Sequence, residues 1–379
     1  MPFQLNEEQQ MIKLMAAEFA KKELEPLAHQ RDRERMFPMD VVKKMGELGL
    51  MGMMTPSDYG GSDAGTISYC LALQEIAYAC PSSAMAMSIS NLAMEPLQKY
   101  GTEEQKQRYL TPLAGGEFLG AFALTEPEAG SDTGNVITRA ERKDDYYLIN
   151  GTKSFVTNGT YADVIILLAR TGQEKSHRGL SAFIVEKGNP GVSIGSNEDF
   201  MGLKASNTVE LVFNECRIPR KNLIGKEGGG FKITMEAMDS GRVGVAAQSV
   251  GIARACLDEA MEYAKNRKQF GRLISSFQAI QWMIADMATE IEAANWLTLR
   301  AADLRDRGLP FTKEASMAKL FASEMANRAA HKALQIHGGY GYIKEYKVER
   351  MYRDARVTTI YEGTSEIQRL VIAREMLRG

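Results

Sequence analysis

The sequence predicts an α+β chain built as a helical segment, an antiparallel β unit and a second helical segment that forms a bundle. Three observations carry this. Apolar residues over 1–120 recur at helical spacing. Residues 121–227 hold short β-branched runs bounded by Gly, Pro and Asn, with no helix between them. From 228 to 379 the helical period returns over longer stretches. Domain boundaries are expected at those points: 1–120, 121–227 and 228–379.

In the first segment, Met11, Met15 and Phe19 lie four apart and give one apolar face over Glu8 to Lys22. Pro38, Pro56, Pro81 and Pro96 are each expected near a helix start or end, because proline lacks the N–H that a helix interior needs. Ile67 to Tyr78 and Ala84 to Tyr100 are mostly apolar. The second, with Met85, Met87, Ile89, Leu92 and Met94, reads as buried on most sides. In the middle segment, Asn150-Gly151 between two strand-like runs is a hairpin signal. Val164 to Leu168, Leu180 to Val185 and Val209 to Phe213 read as further strands. In the last segment, Ile280, Ile284, Met287, Ile291 and Ala294 alternate four and three apart. Ala318, Phe321, Met325 and Ala329 nearly repeat the pattern, which is a bundle seam.

Composition narrows the function. The chain has 379 residues, 44% hydrophobic and 25% charged, which suits a globular protein of two or three domains. A net charge of −2 gives no general attraction to nucleic acid or membranes. Apolar stretches such as Val164 to Ala169 are too short to span a bilayer, and no basic-then-apolar leader opens the chain, so a cytoplasmic location is expected. Cys70, Cys80, Cys216 and Cys256 form no CxxC pair, and the four histidines lack ligand spacing, so neither a disulfide framework nor a metal is expected. No G-x-G-x-x-G follows a strand, and there is no Walker A sequence.

The chemistry gathers near the end, in Ile360-Tyr361-Glu362-Gly363-Thr364-Ser365-Glu366-Ile367-Gln368. Ser365 with Gln368 three residues on reads as a capping box, so a loop enters a helix there. Gly363 permits a tight turn. Glu362 is the loop's own carboxylate, either solvated or dried enough to act as a base. Other stretches also leave two readings open. Phe122 to Asp132 is a strand end turning through Pro and Gly, or a set of hydroxyl donors to a cofactor. Arg267 follows a helix and suits a pyrophosphate; Gln335 to Gly341 is a glycine-rich helix end. Asp239 and Arg242 read as an intrahelical pair or as part of a binding site.

Tyr361 to Gln368 resembles the catalytic loop of the acyl-CoA dehydrogenases, in their short-chain, butyryl-CoA form. Thr125-Glu126-Pro127-Glu128-Ala129-Gly130-Ser131-Asp132 and Phe155-Val156-Thr157-Asn158 resemble that family's flavin segments. Two departures stand out. Phe155 replaces the usual tryptophan, and Glu128, where a small residue is common, is expected to point to solvent. The resemblance covers essentially the whole chain. It implies a helical N-terminal domain, a middle antiparallel β domain and a C-terminal four-helix bundle.

It further implies that Glu362 removes the α-proton of an acyl-CoA while flavin N5 takes the β-hydride, giving the trans-2-enoyl-CoA. FAD would be held by Phe122, Leu124, Thr125, Ser131, Phe155 and Thr157. Arg267, Phe270, Phe277, Gln278, Gln335, Ile336, Gly338 and Gly339 would hold its ADP half across a subunit interface, with Thr364 and Glu366 close by. The CoA arm and thioester would meet Ser131, Asp239, Arg242, Tyr361 and Gly363. The implied partners are an electron-transfer flavoprotein and further copies of the chain in a homotetramer. The apolar stretch from Met85 to Met94 is then either plain helix packing or the wall of the acyl pocket. It carries no Arg or Lys, so an uncharged short or medium acyl chain, butyryl first, is expected, with branched or cyclic groups as alternatives. A same-fold acyl-CoA oxidase and, more remotely, a DNA-binding flavoprotein of this fold are the other readings; no basic tail supports the latter.

Overall fold

The computed structural model describes residues 4–173 and 176–378. Helix α1 (Glu7–Phe19) starts on a capping box: Asn6 Oδ1 accepts from Gln9 N at 2.8 Å. A π turn leads into α2 (Glu25–Glu34), and α3 (Met39–Glu47) follows. Helices α4 (Gly65–Ala79) and α5 (Pro81–Tyr100) are buried nearly all round, as their apolar runs demand. Pro81 starts α5, and Pro96 lies inside it, near its end at Tyr100. Burial of Met94 and Leu97 on either side holds the helix through the missing bond. Two short turns, α6 (Glu103–Gln105) and α7 (Thr111–Ala114), complete this layer.

The middle unit is one sheet of β1 (Gly120–Ala123), β2 (Arg139–Arg142), β3 (Tyr146–Thr157), β4 (Val164–Arg170), β5 (Leu180–Glu186), β6 (Val192–Asn197), β7 (Thr208–Pro219) and β8 (Leu223–Ile224). Its order is β6-β7-β3-β2-β4-β5-β8, with β1 beside β4. Pairing is largely antiparallel, but β1 runs parallel to β4. The hairpin expected at Asn150-Gly151 is not there. Strand β3 runs through that dipeptide, and the β2–β3 turn falls at Asp144-Asp145 instead. Gly151, at φ +152°, sits at a bulge where the β3–β7 register shifts; a Cβ there would lie 2.5 Å from Thr138 Oγ1. Asn150 Oδ1 accepts from Glu215 N at 2.8 Å across the bulge. The dipeptide's freedom at unusual φ serves a bulge rather than a turn.

Helix α8 (Gly230–Asn266) opens the last unit. A small hairpin of β9 (Lys268–Gln269) and β10 (Arg272–Leu273) links it to α9 (Gln278–Asp306), followed by α10 (Thr312–His337), α11 (Lys347–Arg356) and α12 (Ser365–Leu377). Helices α8, α9 and α10 pack pairwise, and α12 lies on α10. The predicted seam is present: Met287, Ile291, Ala294, Ala318, Met325 and Ala329 are buried, with Ile280, Ile284 and Phe321 packed half-buried against them. The four cysteines are buried and free. Among the described residues no helix is long and apolar enough to cross a membrane.

Two contacts lock the units around the last loop. Ser90 Oγ accepts from Gly120 N at 3.1 Å, where α5 meets β1 so closely that a Cβ on Gly120 would lie 2.8 Å from Ala93 Cβ. On the other side, Leu203 N donates to buried Asp354 at 2.6 Å, and Gly202 packs on the backbone of Arg353. Helix α11, which feeds the Glu362 loop, is thereby fixed to the β unit.

Candidate active site

The loop between α11 and α12 carries two consecutive left-handed residues, Glu362 at φ 54° and Gly363 at φ 87°. Glycine adopts this freely; a glutamate does so at a cost of about 1 kcal/mol or more, so the surroundings must hold it. Gln368 Nε2 donates to the carbonyls of Glu362 at 3.0 Å and Gly363 at 2.9 Å. Lys319 Nζ donates to the Gly363 carbonyl at 2.7 Å. Tyr361 OH donates to Gln248 Oε1. The capping box expected at Ser365 does not form, and the cap lies one residue earlier. Thr364 is the N-cap, with extended φ −60° and ψ 164°, and its Oγ1 accepts from Ile367 N at 3.4 Å. Ser365 is already helical and buried, and its hydroxyl has no partner. Gln368 reaches loop carbonyls, not a cap N–H.

The Glu362 side chain runs back against α8. A Cβ added to Gly241 would come within 2.6 Å of Glu362 Oε2 and 3.4 Å of Leu92 Cδ1, so the carboxylate occupies space that only glycine leaves. That oxygen is buried with no hydrogen-bond partner. Burial raises the carboxyl to about 7, against the lowering effect of Arg242 and then Lys319. Arg242 donates to Asp239 at 2.6 Å and Ser316 at 3.4 Å, and Thr312 donates to the other Asp239 oxygen. The intrahelical pair is therefore real, and it borders Glu362. Leu92, Met85, Ile89 and Met94 share one apolar cluster with Phe122, Leu124, Met238 and Tyr361. Helix α5 thus faces the carboxylate.

A second group lies on the β unit. Thr125 is half-buried, while Ser131 and Glu128 are exposed, Glu128 as expected. Beneath them, Lys153 and Glu126 form a pair at 2.7 Å with side-chain exposures of 0% and 2%. Glu126 also accepts from the N–H groups of Ile137 (2.7 Å) and Thr138 (2.9 Å), and Lys153 donates to the Leu124 carbonyl at 2.8 Å. Burial opposes the charge on Glu126, but Lys153 together with the bonds from Thr138 and Ile137 holds the carboxyl below its ordinary range. Burial brings Lys153 down to about 8. Sequence reading missed this pair: Glu126 lies in the Thr125–Asp132 segment and Lys153 just before the Phe155–Asn158 segment, and only the fold joins them. Phe155 is 60% exposed at φ 56°, tilted toward Phe200 at 6.4 Å. Thr157 is buried, its hydroxyl sharing a 2.9 Å bond with Thr208.

A third group lies elsewhere. Arg267, Ile336, Gly338 and Gly339 line a pocket of about 490 Å³ with Tyr263, Gln269 and Tyr340. The Arg267 guanidinium sits 5.4 Å over the Tyr340 ring. Gln278 and Gln335 are exposed nearby in sequence, and Phe270, 93% exposed, meets Phe277 edge-on at 6.1 Å. From Gly241 to Arg267 helix α8 climbs about 39 Å at about 1.5 Å per residue. Within one protomer the Arg267 group and the Glu362 group are therefore not brought together. Thr364 is half-buried and Glu366 exposed at the start of α12. The donor sets fit a flavin dinucleotide chemically. Phe155 presents an open ring face, Thr125 and Ser131 present hydroxyls, and Arg267 faces a pocket where Gly338, at φ +59°, leaves the backbone clear.

The family models described as the N-terminal, middle and C-terminal domains of acyl-CoA dehydrogenase match residues 6–117, 121–216 and 228–377. The probable acyl-CoA dehydrogenase YngJ of Bacillus subtilis is 53% identical over 380 residues, spanning all of both chains. The solved structure of butyryl-CoA dehydrogenase from Megasphaera elsdenii is 43% identical, with TM-score 0.98 and full coverage of both chains. A chain in the structure of the electron transferring flavoprotein of Acidaminococcus fermentans, work directed at flavin-based electron bifurcation, is 48% identical with TM-score 0.99, again with full coverage of both.

The contact at Gly241 gives a test that separates shape from stability. Gly241→Ala should leave stability unchanged or raised, because alanine favours a helix by about 1 kcal/mol. The displaced atom is the free end of Glu362, so any reaction that depends on this carboxylate should fall on the order of a hundredfold. Thermal melting and turnover check it; wild-type turnover by a folded Gly241→Ala protein would contradict the contact.

Proposed function

The chain belongs to the acyl-CoA dehydrogenase family, and from that premise we propose that it dehydrogenates a short-chain acyl-CoA at Cα–Cβ, with Glu362 as the base and FAD as cofactor. As an enzyme it is an acyl-CoA dehydrogenase of the butyryl type. One observation carries the choice of base: Glu362 Oε2 is buried, unpartnered and seated on Gly241 at the apolar face of α5. A thioester α-C–H is a weak acid, so the base must be aligned and partly dry. Burial makes the protonated product of the transfer acceptable, and Arg242 and Lys319 favour the ionised form before it. Leu92, Met238 and Tyr361 exclude water from the reacting carbons. Bound FAD supplies the acceptor for the β-hydride, which no side chain can be.

Glu362→Gln should keep flavin and acyl-CoA binding while substrate-driven bleaching of the flavin falls by about 10² to 10⁴. The base works only when ionised, so the wild-type rate should be lost as pH falls through about 7 and level off above it. Near-normal bleaching by the Gln variant would remove Glu362 from the mechanism.

On the β unit, Thr125, Ser131, Phe155 and Thr157 hold the flavin end, with Thr208 orienting the Thr157 hydroxyl. Arg267, Gln278 and the turn from Gln335 to Gly339 hold the ADP half of a neighbouring protomer's FAD in a homotetramer. Their separation along α8 supports this division. So do the exposed aromatic rings next in sequence to residues lining their pocket, Phe270 at 93% and Tyr342 at 83% exposure. Arg267→Ala should lower FAD occupancy and weaken assembly together, as read by flavin absorbance and sedimentation. An unchanged flavin content and assembly size would exclude the shared site. Asp239 and Arg242 border the thioester, and an electron-transfer flavoprotein accepts the electrons, a reading that the Acidaminococcus likeness supports.

The substrate reading follows from the wall of α5. Met85, Ile89, Leu92 and Met94 offer no cation for a distal carboxylate, and burying an unpaired carboxylate is expensive. Farther along α8 the space closes, since a Cβ on Gly244 would lie 2.9 Å from Ser88 Oγ and 3.0 Å from Tyr69 OH. We therefore expect kcat/KM to be highest for butyryl-CoA among butyryl-, octanoyl-, isobutyryl-, cyclohexanoyl- and glutaryl-CoA. Each added methylene should matter by about 1–3 kcal/mol. A lead for glutaryl-CoA, or for chains longer than octanoyl, would refute the assignment.

A further inference from the structure

We propose that Lys319 is a positioning residue for the reaction: its buried side chain fixes the Gly363 carbonyl of the catalytic loop and sets an ammonium, paired with no carboxylate among the described residues, next to Glu362. This rests on the reading of Glu362 as the base. Lys319 has 0% exposure and is among the largest fully buried side chains of the protein. A buried ammonium is costly unless paired, yet among the described residues Lys319 forms no ion pair. Its hydrogen bond is to a neutral carbonyl, Gly363 O at 2.7 Å. That carbonyl already accepts from Gln368 at 2.9 Å, so a lysine is not needed to satisfy it.

The charges around the pair explain what the lysine adds. On α8, Arg242 is the other cation near Glu362, but Asp239 holds it at 2.6 Å and offsets its charge. On α10 itself Glu324, and on α12 Glu366, act on Lys319 more weakly than Glu362 does; Arg242 opposes it. Arg374 faces Arg242, and Glu375 and Glu236 face Asp239. Burial drives Lys319 down to about 7, and Glu362 is the first influence that restores it. Each of the two groups thus favours the charged form of the other. Helix α10 delivers this arrangement from one face. Thr312, Ser316 and Lys319, at steps of four and three, contact Asp239, Arg242 and Gly363 in turn.

The test uses the FAD-loaded enzyme and three variants. Lys319→Met removes charge and donor, Lys319→Gln keeps a donor without charge, and Lys319→Arg keeps the charge. With Met and Gln, the acid limb of the pH profile for flavin bleaching by butyryl-CoA should move up by about one unit or more. The rate would then fall about tenfold at pH 6 and recover at high pH, with KM changed less than about twofold. Lys319→Arg should keep the limb near its wild-type position. Independently of turnover, the carboxyl stretch that Glu362→Gln deletes from the infrared difference spectrum should titrate at correspondingly higher pH in Lys319→Met and Lys319→Gln. An unmoved limb and band, or a loss of equal size at every pH, overturns the proposal. If Glu362→Gln bleaches normally, the base itself is misassigned. If that variant is inert while the Lys319 variants keep the wild-type limb, only the role of Lys319 fails.

Discussion

The site depends on placing one carboxylate in a space made by the absence of a side chain. Glu362 Oε2 lies 2.6 Å from where a Cβ of residue 241 would be, too close for one to be present without a shift. Burial there pushes the carboxyl up to about 7 and leaves one oxygen without a partner. Such an arrangement is unstable by itself, since an ionised carboxylate out of water needs compensation. Arg242 and Lys319 provide it without touching the carboxylate, so it is stabilised through space and remains free to take a proton. A direct ion pair would have held it charged and made it a poorer base.

The left-handed pair Glu362–Gly363 explains why so much of the surrounding structure is polar and buried. A non-glycine residue held at φ 54° persists only where its neighbours over-determine it. Gln368, Lys319 and the Tyr361–Gln248 bond do so from α12, α10 and α8. The same logic operates on the β unit, where the buried Glu126–Lys153 pair fixes the turn that presents Thr125. Two loops are thus each tied from beneath by a buried lysine.

What was legible in the sequence divides along the same line. Period fixed the helices and most strands, because burial of Met287, Ile291 or Val164 leaves a repeating trace. The Glu362 loop was readable as a loop entering a helix, although the cap is Thr364, because cap geometry depends on ψ and not on residue type alone. Asn150-Gly151 misled for a related reason: the dipeptide signals unusual φ, and a bulge uses that as well as a turn does. Lys319 and Lys153 left no trace, since a lysine among alanines or in a strand reads as solvated. Only their partners, 44 and 27 residues away, show them to be buried. Gly241 stands between Asp239 and Arg242 in the sequence, but its meaning required knowing what lies against it.

Helix α8 draws these points together. Gly241, Gly244 and Gly251 interrupt it at sites where something else approaches: the Glu362 carboxylate, the Ser88 and Tyr69 hydroxyls, and the backbone of Gln74. Each glycine disfavours the helix by about 1 kcal/mol relative to alanine. A 37-residue helix buried over most of its length tolerates this, because packing rather than propensity holds it. The missing side chains bring α4, α5 and the Glu362 loop against one backbone, so the Glu362 carboxylate and the apolar face of α5 share one reference. The chain therefore gives up local helix stability in α8, and uses the gaps to set the distance between the Glu362 carboxylate and the apolar face of α5.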